Sequence, residues 1–278
     1  METNENQTLI DVGCALHGPE TLSDGRIPFV VVPDGYRVTD LEHLLPAPTR
    51  KRAAVQMHDA DSFCSYFDTH RTRDANIYAD IDNGSERFVV LAVFDDNGMD
   101  FAGWRDHTCT LVRRQSVEWK RWNSKCRANM GQAEFATFLE ENLVDVVNAE
   151  GMPTGSEMLQ MALAFERTAD KRLKSKVNLQ SGGVRFEYVD DDNAETRTSM
   201  QVFSRFTIGI PVFDGATVAY QIEARLKYRD NGGKLSFWYE LIRPDRAFKQ
   251  AVTEELESIS LKAVRTILRG TIGPAAGK

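Results

Sequence analysis

Two short segments place a histidine beside groups that could do metal or acid–base chemistry. In the first, His58 is followed by Asp59 and Asp61, and two carboxylates beside an imidazole could hold a divalent cation. A hydrolase that uses a His-Asp pair such as His58-Asp59 needs further histidine and aspartate ligands on other helices, and the sequence shows no such spacing. Either aspartate serves equally well as the N-cap of a helix, so we predict no metal site here.

The second segment contains Asp106, His107 and Cys109. A carboxylate can fix the tautomer of a histidine base, but neighbouring residues of a strand point to opposite faces, which places Asp106 and His107 badly for pairing. Cys109 shares a strand face with His107 at about 7 Å between Cβ atoms, whereas a Cys–His nucleophile needs hydrogen-bond contact. A small buried thiol is the simpler interpretation, and we predict no catalytic residue.

The densest group of basic residues lies in residues 113–127, the basic segment, where six cations and one acidic residue accompany two tryptophans. Cations attract phosphates and indole rings stack on bases, so a nucleic-acid interface is one interpretation. We favour another, in which Trp119 and Trp122, three residues apart, anchor one face of a helix in the core. The candidate nucleic-acid contacts of the first interpretation are Arg113, Arg114, Lys120, Arg121, Lys125 and Arg127.

Common catalytic signatures are absent from the sequence. It lacks the phosphate loops GxxxxGKS/T and GxGxxG and the nucleophile elbow GxSxG, so nucleotide triphosphatases, dinucleotide enzymes and serine hydrolases have no motif support. The acidic run Asp190–Asp192 with Glu195 lacks the spacing and the glycine of an EF-hand. We therefore expect neither a metal ion nor a cofactor.

The overall composition is that of a folded, acidic protein. Of the 278 residues 42% are apolar and 27% charged, and the formal net charge is −7. These values argue against disorder and against a general nucleic-acid coat protein. The start of the chain lacks the basic and apolar parts of a signal peptide, and no run reaches the roughly 18–20 apolar residues that span a bilayer. Four cysteines without a CxxC pair predict reduced thiols in a cytoplasm.

Hydrophobic periodicity predicts the elements that position these groups. The pair Asn83-Gly84 lies between two apolar runs and predicts a hairpin. Residues 218–228 alternate apolar and polar side chains, and a turn then leads back into residues 235–242. This pattern predicts a long hairpin with one solvent-exposed face. A closing helix over about Phe248–Leu268 follows, with Asp245 as a candidate N-cap and with Gly270 and Pro274 to end it. Its apolar side consists of Phe248, Val252, Leu256 and Ile259.

The order of strands, helices, antiparallel strands and helix predicts an α+β fold. We expect antiparallel β-sheets with helices packed on them and a long C-terminal β-hairpin followed by a closing helix. Residues 1–112 would form an N-terminal α+β subdomain, and residues 113–278 would contribute the C-terminal helices and an antiparallel sheet. One continuous domain is the alternative to this division.

Six segments between about residues 50 and 262 carry a family resemblance. They are His58–Phe67, Trp104–His107, Glu118–Trp122, Gln132–Val146, Phe206–Phe213 and Lys234–Arg243, the last containing Phe-Trp-Tyr-Glu-Leu-Ile-Arg-Pro. In their order and tryptophan positions the chain resembles the YfdQ-like family of uncharacterised phage and prophage proteins. The resemblance implies a phage-encoded protein inside a bacterial host, and it brings no catalytic motif that transfers residue by residue.

We expect a non-enzymatic phage or prophage accessory protein. It would act through self-assembly into a closed homo-oligomer, with a hollow shell among the permitted forms, or through binding. The predicted hairpin motivates this, because its two faces need cover and its edges invite pairing that closed symmetry satisfies. A monomer whose own helices cover the hairpin is the alternative.

Three other functions stay open at this point. One is a nucleic-acid-associated factor in phage DNA metabolism, centred on the basic segment. Another is an anti-defence protein that sequesters a small ligand, and a third is a hydrolase that uses His58 or His107. We expect the partner to be the protein itself rather than a membrane.

Overall fold

The computed structural model describes residues 20–21, 28–29, 37, 39, 41–98, 102–166, 173–178, 184–190, 193–231 and 234–272. The chain forms two compact units, Met1–Lys51 and Arg52–Lys278. In the first unit, strands β1 (Glu20–Thr21) and β2 (Pro28–Phe29) pair in an antiparallel ribbon, and a 3₁₀ turn covers Glu42–Leu44. The subdomain boundary expected at residue 112 stays a prediction.

The described part of the second unit contains five α-helices and three β-sheets. The helices are α1 (Ala60–His70), α2 (Val117–Lys125), α3 (Gln132–Glu141), α4 (Gly155–Glu166) and α5 (Pro244–Ala263). The strands are β3 (Ala53–Met57), β4 (Asn76–Asp82), β5 (Arg87–Val93), β6 (His107–Val112), β7 (Met130–Gly131), β8 (Leu173–Asn178), β9 (Val184–Asp190), β10 (Asn193–Val202), β11 (Arg205–Ile210), β12 (Tyr220–Asn231), β13 (Lys234–Leu241) and β14 (Ile267–Arg269).

The three sheets are mostly antiparallel. The five-stranded sheet has the order β14-β4-β5-β6-β3, with parallel pairing only at its two outer pairs, β14 with β4 and β3 with β6. The four-stranded sheet has the order β11-β12-β13-β7, and the third sheet the order β10-β9-β8. With helices alongside these sheets, the predicted α+β class is confirmed.

Both predicted hairpins are present. Strands β4 and β5 pair around the Asn83-Gly84 turn, where the Asp82 carboxylate accepts a 2.9 Å hydrogen bond from the Gly84 amide. Strands β12 and β13 pair from Ala224 opposite Leu241 to Asn231 opposite Lys234. Along β12 the burial alternates as the sequence predicts, with the apolar side chains in the core and the basic ones on the exposed face.

The closing helix differs from the prediction at both ends. Its N-cap is Arg243, in a left-handed conformation, and the Asp245 carboxylate instead accepts two 3.0 Å hydrogen bonds from the Arg243 guanidinium. Helix α5 ends at Ala263 rather than near Leu268, because the following residues pair with β4 as strand β14. Its predicted apolar stripe is confirmed, with Phe248, Val252, Leu256 and Ile259 all buried.

Candidate functional site

The two tryptophans of the basic segment lie in the core. Ser116 caps α2 by accepting a 2.9 Å hydrogen bond from the Trp119 amide, and both indole side chains are 0% exposed. The Trp119 indole N–H donates to Glu86 at 2.8 Å, and the Trp122 indole N–H donates to Asp145 at 2.7 Å. The interpretation of these tryptophans as core anchors is confirmed, and their faces are not open to bases.

The basic side chains of the segment differ in their partners and in their exposure to solvent. Arg113 lies beside Glu255, with 2.7 Å between Nε and Oε1. Arg121 donates to the Asn142 side chain at 2.6 Å, and Lys125 pairs with Glu134 at 2.8 Å. The guanidinium of Arg114 lies 3.3 Å from the ring nitrogen of His58, and Lys120 is exposed. Four of the six candidate contacts therefore already engage partners within the chain.

Arg127 lies beyond the end of α2, next to strand β13 of the four-stranded sheet. Its backbone is left-handed (φ 64°), and its amide donates a 2.8 Å hydrogen bond to the Tyr239 carbonyl of β13. The side chain is exposed and lines an open depression of about 260 Å³ together with Arg229 and Trp238. Sequence reasoning missed this neighbourhood, because Trp238 is far from Arg127 along the chain.

A larger cleft of about 350 Å³ lies between the start of α1, the loop before β12 and α5. Its lining contains several carboxylates and two cations: Asp59, Asp61, Asp214, Glu254, Glu255, Arg113 and Lys262. Lys262 contacts the Asp61 carboxylate, and the Tyr220 hydroxyl donates to Glu254 at 2.6 Å. Most of these charged side chains thus form an ion pair or a hydrogen bond with another side chain of the cleft wall.

Glu255 is the carboxyl of the cleft with the most unusual environment. Burial raises its pKa above the ordinary glutamate value, and the positive charge of Arg113 acts in the opposite direction. A carboxyl with a raised pKa in a cleft is a feature of general acids. Here the carboxylate is already paired with a guanidinium, so the arrangement serves to hold α5 against the strand end that carries Arg113.

The second histidine segment is packed into the core of the five-stranded sheet. His107 is buried, and its Nε2 lies 3.0 Å from the Tyr66 hydroxyl. The backbone amide of His107 donates to the Asp95 carboxylate at 3.0 Å. Cys109 is fully buried, and this burial raises the pKa of its thiol to about 11. The expected buried thiol is confirmed, since a thiolate is strongly disfavoured in this environment.

No metal centre is visible in the part of the chain that the structure describes. No three His, Cys, Asp or Glu side chains among those residues are placed to hold a metal ion. Asp59 instead acts as the N-cap of α1, accepting a 2.7 Å hydrogen bond from the Ser62 amide. The side chains of the acidic run Asp190–Asp192 with Glu195 lie outside the described residues.

We predict that the protein needs no metal ion. Extensively dialysed protein should contain no stoichiometric zinc, manganese or calcium by elemental analysis, and EDTA should leave its melting temperature unchanged, because the carboxylates near His58 already serve as a helix cap and ion-pair partners. One equivalent of metal per chain that survives dialysis would contradict this prediction.

An exposed apolar surface lies where α5 ends. Leu261, Val264 and Leu268, which we call the α5 corner, are 79%, 78% and 44% exposed. Val264 has a left-handed backbone (φ 49°, ψ 46°), a conformation that strains a β-branched residue. The turn is held in place by Arg265, whose guanidinium donates to the Thr72 and Arg73 carbonyls at 3.2 Å.

None of the helices in the described ranges combines the length and apolarity that crossing a bilayer demands.

Comparison with known proteins identifies a family but no characterised relative. Neither a curated protein nor a solved structure matches the chain. A family model of an uncharacterized conserved protein, DUF2303, matches residues 2–272. Because that match spans nearly the whole sequence, the chain belongs to the DUF2303 family of uncharacterized conserved proteins.

Proposed function

We propose that this protein acts without catalysis, by self-assembly into a closed homo-oligomer. We propose further that it is a phage or prophage accessory protein in the cytoplasm of a bacterial host, an origin that rests on the resemblance to the YfdQ-like family. The observation that carries the assembly is the α5 corner, where large apolar side chains are exposed beside the end of a sheet.

The strain at Val264 supports this assembly. Glycine is the residue that helices favour at this position, because it occupies the left-handed region without a steric cost. A valine there costs folding free energy and, being exposed, adds little to the core of its own chain. Burial against a second copy would recover free energy from the valine and from the neighbouring Leu261.

The five-stranded sheet offers two places for such contact. Strands β14 and β3 are its edges, and edge strands present backbone groups that can pair with another chain. Leu268 belongs to β14, so the α5 corner includes an exposed side chain of one of these edges. Contact between unlike edges would be head-to-tail, and such contacts make closed rings when the rotation between copies closes.

Light scattering tests the assembly. We expect the purified protein at micromolar concentration to have a mass that is a multiple of 31.3 kDa. Leu261→Asp should shift the protein toward the monomer, because a charge cannot be buried in an apolar contact without a partner. Val144→Asp is the matched control, since Val144 is also exposed but lies in a 3₁₀ turn away from α5.

Val264→Gly separates assembly from folding. It should weaken the oligomer while stabilising the monomer by about 1 kcal/mol, because it relieves the left-handed valine. A single species near 31.3 kDa that persists at higher concentration and physiological salt would overturn the assembly.

The same sample distinguishes the alternative functions. Absorbance at 260 nm in excess of the protein contribution would favour the nucleic-acid factor. A small molecule recovered by denaturing extraction would favour ligand sequestration, for which the cleft of about 350 Å³ has a suitable volume.

A further inference from the structure

The exposed face of β12 carries a row of cations. Arg225, Lys227 and Arg229 alternate with buried or core-facing residues, so they stand on one face of the sheet about 7 Å apart. The chain as a whole has a formal charge of −7, which makes this row a local departure from an acidic surface. Arg127 approaches the same face from beyond β13.

A tryptophan lies among these cations. In the register of the hairpin, Trp238 of β13 is opposite Lys227, and Glu240 is opposite Arg225. The Arg229 guanidinium lies 5.8 Å from the centre of the Trp238 ring. Trp238 is only partly buried and lines the depression of about 260 Å³ together with Arg127. We call Arg127, Arg225, Lys227, Arg229 and Trp238 the cationic face.

Three of the four cations of this face act on a single carboxylate, that of Glu240. Lys227 donates to Glu240 at 2.8 Å, and this hydrogen bond together with the positive charges of Lys227, Arg127 and Arg225 lowers the pKa of Glu240. The next pair on the same sheet, Arg205 with Glu223 at 2.8 Å, contributes one charge of each sign. The surplus of positive charge is therefore centred on Trp238.

The combination of four cations with a tryptophan discriminates between the ligands that this face could bind. An acidic peptide would satisfy the cations but has no use for an accessible indole ring. A nucleic-acid duplex offers phosphates, but its base faces are stacked inside the helix. A single strand offers both phosphates for the cations and free base faces for the indole, which is how sequence-tolerant single-strand binders work.

We propose that the cationic face binds single-stranded nucleic acid, with Trp238 stacking on a base and Arg127, Arg225, Lys227 and Arg229 contacting the phosphates. The site differs from the nucleic-acid interface expected from the sequence, with which it shares only Arg127. It is also independent of the proposed self-assembly, because none of its residues belongs to the α5 corner. The left-handed Arg127, fixed by its bond to the Tyr239 carbonyl, places the fourth cation at the depression.

Fluorescence anisotropy with a labelled oligothymidylate of twelve nucleotides tests the site on the full-length protein. We expect the single strand to bind more tightly than the duplex of equal length or polyglutamate. Up to four phosphate contacts predict that log K falls with log salt with a slope of about −2 to −3. Trp238→Ala should weaken binding by about tenfold to a hundredfold, and Trp238→Phe should retain most of it.

Charge variants complete the design. Arg225→Ala and Arg229→Ala should each weaken binding and make the salt slope less steep by about 0.7. Lys249→Ala is the matched control, because it removes an exposed cation of α5 that belongs neither to the cationic face nor to the basic segment, and it should leave binding unchanged. Circular dichroism melting accompanies every variant, and the arginine variants decide the matter if Trp238→Ala does not fold.

Three results would overturn the proposal. The first is the absence of binding to the oligonucleotide at micromolar protein and low salt. The second is equal affinity of the folded Trp238 and arginine variants and the wild type. The third is polyglutamate binding as tightly as the oligonucleotide, which would indicate a surface for acidic proteins instead.

Discussion

Replacing Trp122 by alanine should lower the free energy of unfolding by about 3–5 kcal/mol, the usual cost of truncating a buried aromatic side chain. The indole is fully buried, with the Phe138 and Tyr239 ring centres 4.9 and 5.2 Å from its own. Truncation also removes the 2.7 Å hydrogen bond to Asp145. Burial already raises the pKa of Asp145, and this carboxyl would lose a donor that stabilises its charged form.

Chemical denaturation at neutral pH measures this loss. Trp104→Ala is the matched control, because Trp104 is exposed and its truncation should change stability by less than about 0.5 kcal/mol. Trp122→Phe should give an intermediate loss, since it keeps a ring in the core but leaves Asp145 without the indole donor. If Trp122→Ala left stability intact and abolished oligonucleotide binding, α2 would be the nucleic-acid interface after all.

Local patterns were enough to predict β12 and β13, two of the four strands of the four-stranded sheet. The period of two in residues 220–229 follows directly from a strand with one buried face, and it already assigns Arg225, Lys227 and Arg229 to the exposed one. The alternation does not predict which side chains of other segments lie beside these three cations. That depends on the register with β13 and on the hydrogen bond from Arg127 to Tyr239, both of which join residues distant in sequence.

The end of α5 shows a second limit of sequence patterns. Apolar residues continue at helical spacing to Leu268, so the sequence gives no local reason to stop at Ala263. The helix ends there because the three residues of β14 pair in parallel with β4. A strand of three residues is too short to show a periodicity in the sequence. The exposed α5 corner is a consequence of this tertiary pairing, so a local sequence pattern could not predict it.

Arg113 shows the same limit for charge. Its place in a basic segment suggests a solvated or phosphate-binding cation, yet its side chain is only 7% exposed and that of Glu255 only 13%. The partner comes from α5, at the other end of the chain. The Arg113 guanidinium also donates to the His58 carbonyl at 2.7 Å and lies 5.3 Å from the centre of the Phe213 ring.

Removing Arg113 alone should therefore destabilise the fold by about 3–5 kcal/mol at neutral pH, because Arg113→Met leaves the buried Glu255 carboxylate without its counter-ion. The double variant Arg113→Met with Glu255→Leu should recover most of this loss, since apolar groups of similar volume replace a buried pair at little cost. Lys125→Met is the control for a surface pair and should change stability by less than about 1 kcal/mol.

The pH dependence of the same variants tests the cause of the loss. Burial raises the folded-state pKa of Glu255, so the folded protein holds this proton more tightly than the unfolded chain. The resulting stability is present below the ordinary glutamate pKa and is lost as pH rises through the raised one. Without Arg113 the folded-state pKa of Glu255 rises further, so the penalty of Arg113→Met should grow as pH rises through the raised pKa that Glu255 has in the wild-type fold. It should be small in acid, where Glu255 is protonated. A penalty that is the same at every pH, or a double variant as unstable as Arg113→Met alone, would mean that lost packing of the arginine and not an unpaired carboxylate sets the cost.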